Sequence, residues 1–180
     1  TVRQYYYVIA TLPLLQFDDK PPVTLEDLYY MCRGNIASED LDLLQTVSLE
    51  PSEPFGNEIL KKWYAWETSL RNELVKIRSQ KMGIESEKYQ REGDVVPGSA
   101  DTAREAANQD SPLAGEELLN KARWNFLEEL EVGHYFDLYK LMVYALKLQL
   151  LLRRSRFTAE QGREKFEQIY QHIREDIESA

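Results

Sequence analysis

Apolar and polar residues alternate with a helical step along most of this chain, most clearly between Ser111 and Arg154. That stretch reads SPLAGEELLNKARWNFLEELEVGHYFDLYKLMVYALKLQLLLRR. Leu119, Ala122, Phe126 and Leu130 recur at steps of three and four, and so do Leu138, Leu141, Met142, Ala145, Leu148 and Leu152. This is the period of a helix with one buried face. Pro112 suits a first helical turn, which needs no backbone donor there. Glu116 and Glu117 near the start, with Arg153 and Arg154 at the far end, complement the helix dipole. Gly133 and His134 separate the two apolar runs. Because glycine costs a helix about 1 kcal/mol relative to alanine, the pattern predicts either one long bent helix or two helices meeting near Gly133. Leu146, Leu150 and Leu151 flank the second stripe, so this half is expected to be wrapped by other helices.

A second long helix is predicted over Asn57 to Met82, where Ile59, Trp63, Trp66, Leu70, Leu74 and Ile77 form one stripe reaching roughly 35–40 Å. Glu58 with Lys62, and Glu67 with Arg71, have the favoured i,i+4 order, worth only about 0.2–0.5 kcal/mol each. Gly83 marks its stop. Upstream, YYYVIA at Tyr5–Ala10 has strand propensity but no partner run. The competing assignment is a helix from about Gln4 to Leu12, ended by Pro13. Asp18–Pro22 reads as a turn. Thr24 can cap a helix over Leu25–Cys32 with Asp27 at the capping-box position, and Gly34 and Asn35 end it. Ser38 can cap the next helix, running to about Leu49, and Glu50–Gly56 is a connector. Ile84–Gln109 is charged and rich in small residues. It admits short helices on either side of Val95–Gly98 or a mobile surface excursion. Thr158 opens a last helix striped by Phe166, Ile169, Ile173 and Ile177, and its end lacks a cap, which leaves room for the natural chain to run on past Ala180.

Composition narrows the possibilities. The chain has 180 residues and a net charge of −9, from 31 acidic and 22 basic side chains. Arg153, Arg154 and Arg156 make only a short basic patch, which disfavours general nucleic-acid binding and an anionic membrane surface. A membrane span needs roughly 18 consecutive apolar residues, and Lys140, Lys147 and Gln149 interrupt the best run. Cys32 is the single cysteine, so there is no intramolecular disulfide, consistent with a reducing compartment. The opening TVRQYYYVIATLPLL does not have the layout of a signal peptide. It begins without methionine, which points to processing or trimming.

Catalytic signatures are missing from the sequence: no phosphate-cradling loop with lysine and hydroxyl, no dinucleotide fingerprint and no Gly-x-Ser-x-Gly. His134 has Glu131 and Asp137 three residues to either side, helical-neighbour spacing that could ligate a metal. Set against that is a half-buried histidine hydrogen-bonded beside a helix bend, which is the expectation adopted. Glu131-Val132-Gly133-His134 matches the Glu-x-x-His of di-iron bundles once, and His172 does not repeat it. Glu128, Glu129 and Glu131 read as a solvated acidic face. Trp63 and Trp66 belong to the core, Tyr64 points off the stripe to the surface or a partner, and Arg71 pairs locally with Glu67.

Three stretches also carry a family resemblance: YYYVIATLPLLQFDDKPP, NEILKKWYAWETSLRNELVKIRSQKMG and NKARWNFLEELEVGHYFDLYKLMVYALKLQLLLRRSRF. The chain resembles a small uncharacterised family encoded beside bacterial V-type ATP synthase subunits. Distantly, it also resembles the C-type subunit of those rotary complexes, the relative of the eukaryotic V-ATPase d-type subunit. The resemblance implies an all-helical, non-catalytic protein between the central stalk and the membrane rotor ring. The chain departs from the C-type subunit in length, because that protein has three similar helical units and 180 residues allow about two.

The expected fold is therefore all-α: long antiparallel amphipathic helices in a bundle-like arrangement resembling the C-type subunit, one helical domain over residues 1–180 with an excursion at 84–110. The expected function is a non-catalytic structural or coupling component of a bacterial V-type ATP synthase, cytoplasmic or peripheral on the inner membrane. Its partners would be the central-stalk and membrane-ring subunits, with no nucleic acid, no direct membrane insertion, no cofactor and no metal. Candidate partner contacts are Tyr5, Tyr6, Tyr64, Arg153, Arg154 and Arg156. An exposed aromatic strip at Tyr5–Tyr7 or at Tyr64 would equally support a homodimer. The alternatives are a helical adaptor or assembly factor outside rotation, and an enzyme or metal protein built on Glu131 and His134.

Overall fold

The computed structural model describes residues 2–50, 57–157, 166, 167 and 170. These form seven helices and one 3-10 turn: α1 (Val2–Thr11), α2 (Leu25–Cys32), α3 (Ser38–Thr46), α4 (Glu58–Met82), the turn Glu87–Tyr89, α5 (Ser99–Ala107), α6 (Pro112–Glu131) and α7 (Leu138–Arg156). No strand occurs among the described residues. The YYYVIA stretch is helical in α1: with no partner strand to satisfy its backbone, its apolar side packs on α7 instead. The helix expected from Thr158 lies outside the described residues.

Local chemistry sets the helix ends. Thr24 and Asp27 form the full capping box of α2. The Asn57 side chain accepts from the amides of Ile59 and Leu60 at the start of α4. Ser111 caps α6 through the Ala114 amide, with Pro112 behind it. Gly83 closes α4 in the left-handed conformation that glycine adopts at least cost. Ser38 does not cap α3. The cap position falls on Ala37, which offers no side-chain acceptor, and the helix stops at Thr46 rather than Leu49. Val47 and Leu49 are instead tied to α7: Gln149 donates to the Val47 carbonyl (2.7 Å) and accepts from the Leu49 amide (3.2 Å). That exchange satisfies a polar side chain inside an otherwise apolar run.

Helices α6 and α7 are separate and antiparallel, with Lys147 opposite Glu131 and Arg154 opposite Glu117. Helices α4 and α6 also run in opposite directions, with Trp66 stacked on Phe126 at one level and Glu67 paired to Arg123 beside it. Helix α7 is central and packs on α1, α2, α3 and α6. Leu141, Met142, Val143, Ala145, Leu146, Leu148, Leu150 and Leu151 are all buried, covering more than one face. They join Leu28, Leu44, Leu60, Trp63, Leu70 and Leu127 in one continuous core.

The 84–110 stretch is part of this architecture. From Gly83 the chain turns back along α4. Asn72 exchanges hydrogen bonds with the Arg91 backbone (2.7 and 2.9 Å), and the Val96 amide donates to Ser69 (2.9 Å). Helix α5 then runs forward beside α4, from the Ser99–Ser69 contact (2.8 Å) to Lys81 near the Ala107 carbonyl. Helix α5 also packs on α6. The contact is so close that a Cβ on Gly115 would lie 2.7 Å from the Ala106 carbonyl oxygen.

A charged seam crosses the interior. Glu67 is fully buried and receives Arg123 on both oxygens (3.0 and 3.1 Å) and Arg71 on one (2.7 Å). Arg71 reaches on to Glu50, and Arg123 to Glu116 and Asn120. Arg153 also meets Asn120 (2.9 Å). Three arginines thus face three glutamates, and the buried pair at their centre, Glu67 and Arg123, is fully hydrogen-bonded, the condition under which buried charge is tolerated. The i,i+4 pair Glu67–Arg71 is present, whereas Glu58 meets Lys61 rather than Lys62.

Candidate partner-binding surface

Helix α1 is two-sided. Tyr5 and Val8, one turn apart, are buried, while Tyr6 and Tyr7 face outward. Beside them lies the connection between α6 and α7. Gly133 takes a positive φ of 88°, which ends α6 and throws the next residues outward. The chain is recaptured by Asp137, whose carboxylate accepts the Lys140 amide (2.9 Å) at the start of α7 and holds His134 Nδ1 (2.6 Å). The residues between are left on the surface: Val132, Tyr135 and Phe136 are exposed. Tyr6 and Phe136 meet with ring centroids 4.7 Å apart, at exposures of 54% and 43%. Two elements more than a hundred residues apart in sequence therefore share one exposed aromatic patch.

The patch has an acidic border. The Tyr5 hydroxyl donates to Asp40 of α3. Burial, then the Asp40 carboxylate, with a smaller contribution from Asp137, pushes the Tyr5 phenol well above its ordinary value. Tyr5 thus serves as a strut between α1 and α3, not as a contact. The sequence expectation that it belongs to an exposed strip is corrected: the helical repeat turns Tyr5 inward and leaves Tyr6 and Tyr7 outside.

The other expected contacts divide similarly. Tyr64 is 5% exposed. Packing of α5 and α6 against α4 covers more of that helix than its apolar stripe, so Tyr64 is interior. Its hydroxyl and the Trp63 indole nitrogen make no hydrogen bond to described groups. Arg153 is partly buried in the charged seam. Arg154 is held by Glu117, the Phe17 carbonyl and the Phe17 ring face (4.2 Å). Both arginines are committed to internal partners, and of the basic run Arg156 is exposed. Trp63 and Trp66 lie in the core, stacked with each other and on Phe126.

The Glu131–His134 constellation is not assembled. Glu131 pairs with Lys140 and Lys147, while His134 turns to Asp137 and packs edge-on to Tyr139. His134 is half-buried beside the helix break, as expected. Glu131 departs from the expected solvated face, because Lys147 is buried against the Trp124 ring and needs its carboxylate. No group of three or more His, Cys, Asp and Glu placed to hold a metal occurs among the described residues. No helix there is long and apolar enough to cross a membrane.

Sequence reasoning missed Val132, Tyr135 and Phe136 as surface candidates. For Tyr135 and Phe136 the signal was an aromatic pair just after Gly133-His134, between two helices where no stripe is maintained; Val132 left none.

A family model described as "Protein of unknown function (DUF2764)" matches residues 94–177, from just before α5 past the end of α7. No curated protein and no solved structure matches the chain.

Proposed function

We propose that the chain is a non-catalytic, partner-binding helical protein, acting as a structural or coupling component of a bacterial V-type ATP synthase at its cytoplasmic side. The observation that carries the partner-binding part is the Tyr6–Phe136 patch: large aromatic side chains left outside a body that has already filled its core. Exposed apolar clusters of this kind mark interaction sites. The interior ionisable groups favour the same conclusion, since each buried or half-buried carboxylate is already paired within the fold, Glu67 with Arg123 and Arg71 and Glu131 with Lys140 and Lys147. The rotary-complex part is supported by the resemblance in the α1, α4 and α6–α7 stretches.

Affinity capture from native host membranes, washed at low and then high salt, tests the proposal. Recovery of central-stalk and ring subunits in fixed proportion is expected for a resident component. Salt-sensitive, substoichiometric recovery would replace it with an assembly factor. Recovery of none of them, from an extract holding the intact synthase, would overturn the rotary assignment.

A further inference from the structure

Two carboxylates lie close to the aromatic patch. Asp40 of α3 accepts the hydroxyl of Tyr5 beneath the patch, and Asp137 follows Phe136 directly in the chain. Asp40 and Asp137 both act on the buried Tyr5 that underlies the patch. Flat aromatic faces with carboxylates at their edge suit a guanidinium, which stacks on the ring while its N–H groups reach an acid. We infer that the occupant of the Tyr6–Phe136 surface is an arginine-bearing apolar helix of another protein.

Charge argues against the two nearer occupants. A second copy would bring the same acidic border to the same place, opposing like charges. Residues 158–180 of this chain carry six acids against three bases, so that tail is repelled as well. The assignment rests on the patch being the contact surface proposed above, and adds the chemistry of what sits there.

Two labelled helix-forming peptides with identical leucine positions, one with arginines and one with glutamates on the same face, distinguish the possibilities. Each is titrated into the full chain and followed by fluorescence anisotropy. The arginine peptide is expected to bind saturably, more weakly as salt rises, and the glutamate peptide not at all. Tyr6→Ser and Phe136→Ser should each weaken binding about tenfold or more, as for residues at the centre of an interface. Tyr7→Ser gives a second, more exposed variant, and far-UV dichroism shows that each remains folded. Equal binding of the two peptides, undiminished binding by the Tyr6→Ser/Phe136→Ser variant, or no saturation up to about 1 mM would overturn the inference. So would a wild-type dimer that dissociates in Tyr6→Ser. Capture of synthase subunits that survives Tyr6→Ser/Phe136→Ser would leave the rotary proposal standing and remove this one. Arginine-peptide binding without synthase capture would do the reverse.

Discussion

Arg123 places Nε and Nη2 against the two carboxylate oxygens of Glu67, at 3.0 and 3.1 Å, with both side chains almost wholly out of solvent. This paired contact joins α6 to α4 at the level where Trp66 stacks on Phe126. Removing one partner leaves the other charge buried, a loss of about 3–5 kcal/mol. Arg123→Met is expected near the lower end, because Arg71 still reaches Glu67. Glu67→Gln/Arg123→Met should recover part of that loss. Urea midpoints for the single and double variants measure it, and additive losses would show that the two residues do not act as a pair.

Gly115 is expected to resist substitution despite lying in a helix. Alanine normally adds up to about 1 kcal/mol there. Here its methyl would press on the Ala106 carbonyl of α5, which is backbone and yields little. Gly115→Ala should destabilise by about 1–3 kcal/mol, the range for an overfilled contact, seen as a lowered thermal midpoint. A raised midpoint would mean that α5 moves freely against α6.

Glu50 sets part of the acid limb of stability. The hydrogen bond from Arg71, followed by the charges of Arg71, Arg153 and Arg91, holds its carboxyl below the ordinary 4.5. A carboxylate with a lowered folded value contributes stability that is fully present above about pH 4.5 and disappears as pH falls through the folded value. Glu50→Gln should therefore narrow the gap between the stabilities at pH 6 and pH 3. Its effect at neutral pH should stay under about 1 kcal/mol, because Glu50 is largely exposed. An unchanged pH profile of the urea midpoint would remove Glu50 from the acid response.

Cys32 should report on opening of the fold. It is the last residue of α2 and fully buried, and burial pushes its thiol up to about 11. Since the thiolate is the reactive form, alkylation at pH 8 is expected to be slow in native protein and fast in urea. Prompt native modification would show that α2 detaches readily from α7.

Much of this architecture was legible in the sequence, and the limits have physical causes. Short-range chemistry was readable: the Thr24–Asp27 capping box, Pro112 behind Ser111, Gly83 at the end of α4 and the pair Glu67–Arg71 all span four residues or fewer. The α4 stripe and the all-round apolar character of α7 followed from period alone. What depended on distant neighbours was not readable. Arg123 is 56 residues from Glu67, and Tyr5 is 35 from Asp40, so neither spacing leaves a local trace. Tyr64 looked external because it falls off the stripe, yet a helix covered on two sides buries more than a stripe. The candidate surface was half visible: Tyr6 was named from its helix, whereas Phe136 joins it only through the tertiary meeting of α1 with the α6–α7 turn.

The fold-back from Gly83 to Gly98 bears on where this protein can be divided. The matched family region starts at Asp94, inside that return. A piece beginning there would keep α5, α6 and α7 but lose α4, and with it Glu67 as counter-ion to Arg123, Ser69 under Val96 and Ser99, and the tryptophans under Phe126. The sequence boundary is therefore not a folding boundary: the matched half borrows its interior from the half before it, and the two are expected to melt as one cooperative unit.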